Sequence, residues 1–101
     1  MNKFFMQQAQ QLQARLAKAQ EELADITVEA TAGGGAIKVT MTAQQKITSV
    51  KIAPEVVNPQ DIQMLEDLIL AAVTEALAKS QEAAGKHLSA ITGGLKIPGL
   101  G

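Results

Sequence analysis

Few residues of this chain could do covalent chemistry, and those few stand alone. His87 is the single histidine and there is no cysteine. A zinc site draws several Cys, His or carboxylate ligands together, and this imidazole has none of its own kind to join. It is expected as a surface residue of a helix rather than as a catalytic base. Ser49, Ser80 and Ser89 lie in no nucleophile motif. Asp61, Glu66 and Asp67 cluster where a helix should begin. Acids there stabilise the helix dipole, which accounts for them without acid–base work. Gly33-Gly34-Gly35 invites a phosphate-loop reading, but no Gly-Lys-Ser/Thr follows, and the glycines separate two strand-like segments. The residues therefore point away from an enzyme, and no cofactor, metal or small-molecule substrate is expected.

Residues able to grip an anion are better arranged. Gln8, Gln11, Arg15 and Lys18 recur at helical spacing and form one stripe. Arg and Lys reach phosphates, and Gln reaches phosphates or base edges. A solvated helix face would look the same, and spacing does not separate the two. Further on, Glu75 and Glu82 each precede a lysine, Lys79 and Lys86, by four residues. That is the favourable intrahelical orientation, so these lysines are partly neutralised and a solvated face is the better reading. Lys38 and Lys51 belong to the polar side of a sheet. Phe4 and Phe5 are the only aromatic residues that could stack on bases. Formal net charge is −1, which gives no general pull toward nucleic acid or anionic lipid. Any such binding should rest on few phosphate contacts, and be weak and salt-sensitive. Nothing supports a helix-turn-helix or zinc-finger reader.

The elements that carry these residues follow from periodicity. Asn2 to about Asp25 predicts one helix, rich in Gln, Ala, Leu, Lys and Glu and without Gly or Pro. Its apolar residues Phe5, Ala9, Leu12, Leu16, Ala19, Leu23 and Ile26 form an unbroken heptad seam. Lys3 at its start, and Glu21, Glu22 and Asp25 at its end, oppose the helix dipole. Packing, not local charge, must then hold it. Thr27–Thr31, Ala36–Thr42 and Ile47–Ile52 predict an antiparallel three-stranded meander. Ile37, Val39 and Met41 should share one face of the second strand. In the third, Thr48, Val50 and Ile52 should oppose Ile47, Ser49 and Lys51. Both helices should cover the apolar side of the sheet. Asn58-Pro59-Gln60-Asp61 reads as a helix start, with a second helix from Pro59 to about Thr92. Its stripe thins after Leu77, and its distal half should project. The fold class is α+β, one domain over 1–94 with a flexible tail over 95–101.

A chain of 101 residues with two Phe, no Tyr and no Trp has a thin core, and small domains of this kind often add oligomerisation. The heptad seam offers a place for it, through Phe5, Leu12, Leu16 and Leu23. The N-terminal apolar run is too short for a signal peptide, and no segment approaches a membrane span. The cytoplasm is the expected location.

One family combines these features. Met6-Gln7-Gln8-Ala9-Gln10-Gln11-Leu12-Gln13 opens the first helix, and Gly35-Ala36-Ile37-Lys38-Val39-Thr40 enters the second strand. Val50-Lys51-Ile52-Ala53-Pro54 follows. Met64-Leu65-Glu66-Asp67-Leu68-Ile69-Leu70-Ala71-Ala72 opens the long helix, and Gly93-Gly94-Leu95 with Pro98-Gly99 closes the chain. Over nearly its whole length the sequence resembles the YbaB/EbfC family of bacterial nucleoid-associated proteins. The resemblance implies an α-β-β-β-α protomer in a tweezer-like homodimer that binds double-stranded DNA with little sequence preference and organises the nucleoid or regulates expression. It nominates basic residues of the helices as contacts: Arg15, Lys18, Lys79 and Lys86, with Lys3 beside them. An alternative from the residues themselves is a protein-binding scaffold that docks partners on the heptad helix and the projecting second helix. A prefoldin-like clasp is disfavoured, because the first helix spans only about 36 Å at 1.5 Å per residue.

Overall fold

The computed structural model describes residues 2–92. The tail expected over 95–101 lies outside the described residues, as do the last two positions of the domain expected over 1–94. The first helix, α1, is Lys3–Glu22. It begins where the Asn2 side chain accepts the Phe4 amide at 3.0 Å, an N-cap that satisfies one orphan donor. A single 3₁₀ turn, Leu23–Asp25, closes it. Three strands follow: β1 (Thr27–Ala32), β2 (Ile37–Thr42) and β3 (Ile47–Ile52). They form one antiparallel sheet in the order β1-β2-β3. After a 3₁₀ turn at Pro54–Val56 comes the long helix α2, Ile62–Thr92. The expected α-β-β-β-α order is the one found.

The start of α2 differs from expectation by three residues. Asn58-Pro59-Gln60 folds as a turn of its own, in which Asn58 Oδ1 accepts the Gln60 amide and the Asn58 carbonyl accepts that of Asp61. The residue that caps α2 is Asp61, whose Oδ1 accepts the Met64 amide at 3.2 Å. Two Asx residues three apart can each start a helix. The second prevails because the apolar face that α2 must bury starts beyond it, with Leu65, Leu68 and Ile69.

Val28, Ala30 and Ala32 of β1 stand opposite Met41, Val39 and Ile37 of β2, so these six share one face. α2 lies on that face and buries Ala72 and Ala76 completely. Ser80 is also fully buried, and its hydroxyl donates to the Thr42 carbonyl at 2.8 Å, which removes the cost of burying it. The expectation that both helices cover the sheet is corrected. α2 alone does so, over β1 and β2, while α1 packs chiefly along the distal part of α2. The molecule is accordingly long, 69 × 25 × 17 Å.

The faces of β3 are corrected as well. The register passes from Thr40 opposite Ser49 to Met41 opposite Ile47, so Thr48 is an extra residue in a β-bulge. Its hydroxyl donates to the Thr40 carbonyl at 3.3 Å. The bulge reverses the alternation, and Ile47 joins Val50 and Ile52 on the side of Ile37, Val39 and Met41. Strict alternation had placed Ile47 with Ser49 and Lys51.

The β1–β2 turn needs glycine for two separate reasons. Gly33, Gly34 and Gly35 all have positive φ, and a Cβ on Gly33 would stand 3.2 Å from both Leu68 methyls. Gly33→Ala is expected to cost about 1–2 kcal/mol in urea denaturation, from the left-handed backbone alone. Gly34→Ala meets nothing within 4 Å and should cost less. Equal losses would show that Leu68 yields freely.

Candidate nucleic-acid interface

The foot of α1 is pinned, and its N-terminal part is not. Ala19 and Leu23 are buried, Leu12 and Leu16 half-buried, while Phe5 is 65% exposed. The heptad seam is thus closed within the chain at one end and open at the other. Two polar contacts lie at the closed end. Gln44 Nε2 of the β2–β3 turn donates to the Gln20 carbonyl at 3.0 Å. His87 Nε2 lies 3.6 Å from Glu22 Oε1, where α2 meets α1. The only imidazole therefore sits in a helix–helix contact, not on an open surface as the sequence suggests, and its Nε2 has no hydrogen-bond partner among the described residues. Beyond this foot Phe4 is 64% and Met6 49% exposed.

The cations divide into two sets. Lys79 Nζ sits 3.3 Å from Glu75 Oε1 and donates to the Glu29 carbonyl at 2.9 Å. Lys86 pairs with Glu82 at 3.2 Å, and Lys38 with Glu29 at 3.1 Å. The helical i, i+4 pairing read from the sequence is therefore present on both α2 lysines. Among the described residues Lys3, Arg15, Lys18, Lys46 and Lys51 form no ion pair. Gln8, Gln11, Arg15 and Lys18 are all exposed on α1. Lys46 and Lys51, not singled out as contacts from the sequence, lie in the β2–β3 turn and on β3 instead.

Net charge conceals how these groups are distributed. Between Lys3 and Gln20 there is no acid. The distal part of α2 beside α1 adds Lys86 against Glu82. Most acids sit on the sheet, the foot of α1 and the first half of α2, from Glu21 through Glu75. A near-neutral chain thus carries a basic arm on an acidic body. A running charge along the sequence shows the segregation, which the total does not. The dipole of α1 adds to it, because its positive end points out along the arm. Cations that destabilise the helix slightly raise the potential where an anion would dock.

Beside the stripe, Phe5, Ala9 and Leu12 with Ile91 of α2 form the apolar floor of an open groove of about 510 Å³, whose remaining lining is Gln8, Gln11 and Arg15. The described residues hold no group of three or more His, Cys, Asp or Glu able to bind a metal.

The α-β-β-β-α frame has a counterpart among known proteins. Residues 1–95 match the model of the YbaB/EbfC DNA-binding family. The chain belongs to that family. A nucleoid-associated protein of Syntrophobacter fumaroxidans is 54% identical over 95 residues, covering 94% of this chain and 86% of the relative. One from Moorella thermoacetica is 52% identical over 100 residues, covering 99% and 95%. A Pelotomaculum thermopropionicum nucleoid-associated protein is 50% identical, covering 94% and 90%. The crystal structure of an uncharacterized Helicobacter pylori protein superposes with a TM-score of 0.73 at 13% identity, covering 85% of this chain and 91% of that one; it shares the fold. The YbaB/EbfC description is one of DNA binding and not of catalysis. Among the described residues, no helix of this family member is long and apolar enough to cross a membrane.

Proposed function

We propose that this protein is a nucleoid-associated homodimer that binds double-stranded DNA through its phosphates, with little sequence preference, and so helps to organise the nucleoid or regulate expression. The observation that carries the reading is the stripe of α1, where Arg15 and Lys18 stand exposed with no carboxylate partner among the described residues while both α2 lysines are matched. Lys3 extends the stripe toward the tip. Lys79 and Lys86 are secondary contacts, because each must leave a glutamate to meet a phosphate. The relatives named above carry the description nucleoid-associated.

The bulge in β3 supports the dimer. It gathers Ile47, Val50 and Ile52, 44%, 45% and 40% exposed, on the side of the sheet that α2 covers only over β1 and β2. Leu70 and Leu77, 67% and 37% exposed, occupy the flank of α2 opposite the Glu75–Lys79 flank that meets β1. Together they make an apolar corner between an edge strand and a helix. Contiguous apolar surface of this kind marks an interface, and an edge strand is a template for pairing. Leu23 and much of Leu16 are already used inside the chain. The corner is therefore the main dimer surface in this proposal, and Phe5 and Leu12 remain on the arm.

Fluorescence anisotropy on two unrelated duplexes of equal length tests the reading. Binding at 50 mM salt, affinities within about threefold of each other, and a steep loss by 200 mM are expected for phosphate contacts. A dimer that binds neither duplex at 50 mM salt would sink it.

A further inference from the structure

We propose that the groove beside the α1 stripe takes an unpaired nucleobase, with the α1 cations on the flanking phosphates, so that the protein also engages single-stranded DNA. The inference rests on the DNA-binding reading and adds a site and a ligand class to it. Phe5 supplies an exposed aromatic face at one end of the groove, on a floor completed by Leu12 and Ile91. Gln8 and Gln11 border it, and each amide both donates and accepts, as the edge of a base requires. Arg15 closes the row with a planar guanidinium that no carboxylate of the described residues holds. Lys18 continues along the helix. Among the described residues no acid lines the groove. Aromatic stacking beside cations that follow a backbone is the general design of single-strand binding. A base stacked within a duplex has both faces covered and cannot lie on Phe5.

A second copy of α1 would bury the same floor. In a parallel pairing its own Arg15 and Lys18 would crowd those of the first chain, and like charges at close range oppose that arrangement. The charge of the groove fits a polyanion better than it fits itself.

The test uses the full chain, a labelled twelve-residue oligothymidylate and a duplex of equal length in anisotropy titrations at low salt. Phe5→Leu keeps an apolar side chain and removes the stacking face. The oligothymidylate should bind the wild-type protein, and the variant should weaken it about tenfold, the scale of one stacked base. Duplex affinity should change less than threefold. Failure of the oligothymidylate to bind while the duplex binds overturns this inference and leaves the DNA-binding reading standing; failure of both overturns that reading too. Equal losses on the two ligands, or no loss on either, overturn the nucleobase site. A change of sedimentation in Phe5→Leu without DNA also overturns it, by showing that the groove is a subunit contact.

Discussion

Replacing Arg15 and Lys18 together with glutamate is expected to weaken duplex binding about 100-fold at 0.1 M salt for each arm that grips the duplex. The magnitude follows from counterion release. Each phosphate that a cation neutralises contributes a salt slope of about −0.9, which at 0.1 M is worth nearly tenfold in affinity. Removing two such cations from one arm gives the 100-fold figure and a slope shallower by about 1.8, and both effects double on the logarithmic scale where two arms grip. Both side chains are exposed and form no ion pair among the described residues, so circular dichroism and the oligomeric state should not change. The contrast is with Lys79→Gln and Lys86→Gln. Those lysines are held at 3.3 and 3.2 Å by glutamates, and exposed pairs of this kind are worth little either way. Each should change affinity less than about threefold. If the α2 variants weaken binding more than the α1 double variant does, DNA lies on α2 and not on α1.

The second large effect concerns the apolar corner. Val50→Asp should shift the protein from dimer to monomer, raising the dissociation constant about 100-fold or more in sedimentation equilibrium. An uncompensated charge buried at an interface costs about 3 kcal/mol or more, and each 1.4 kcal/mol is tenfold. Val50 is 45% exposed in the single chain, so the protomer should tolerate the change and keep its far-ultraviolet spectrum. Thr31, on the opposite face of the sheet and exposed, offers a control: Thr31→Asp should leave the dimer intact. DNA binding of the Val50 variant should fall as well, since one arm then grips where two did. A Val50→Asp protein that stays dimeric would move the interface back to the heptad helix.

The two predictions together separate the tasks of the molecule. The arm carries the charge and the corner carries the apolar surface. Neither depends on the few residues that could do covalent chemistry. Ser80 is spent on holding elements together, 2.8 Å from the Thr42 carbonyl, and His87 is enclosed in the contact between the helices, 3.6 Å from Glu22. A near-neutral total was compatible with no binding at all, and the segregation of charge between arm and body removes that objection.

Much of the fold was legible in the order of residues because it depends on local rules. Helical spacing set α1 and α2, strict alternation set β2, and three glycines with positive φ set the first turn. The intrahelical pairs on α2 were legible too, since residues four apart on a helix must be neighbours. What periodicity left open depended on packing between segments distant in sequence. Which of Asn58 and Asp61 capped α2 was decided by where its buried face begins. Which side of the sheet Ile47 joined was decided by one bulge opposite Thr40 and Met41. Which half of the heptad seam was already filled was decided by how far α2 reaches along α1, and leaves Phe5 open while Leu23 is buried. By itself the sequence determined the elements and the residue types on each face of the helices. Only the tertiary structure decided which of those faces were used up inside the chain, because burial is a property of what packs against a residue and not of the residue's spacing.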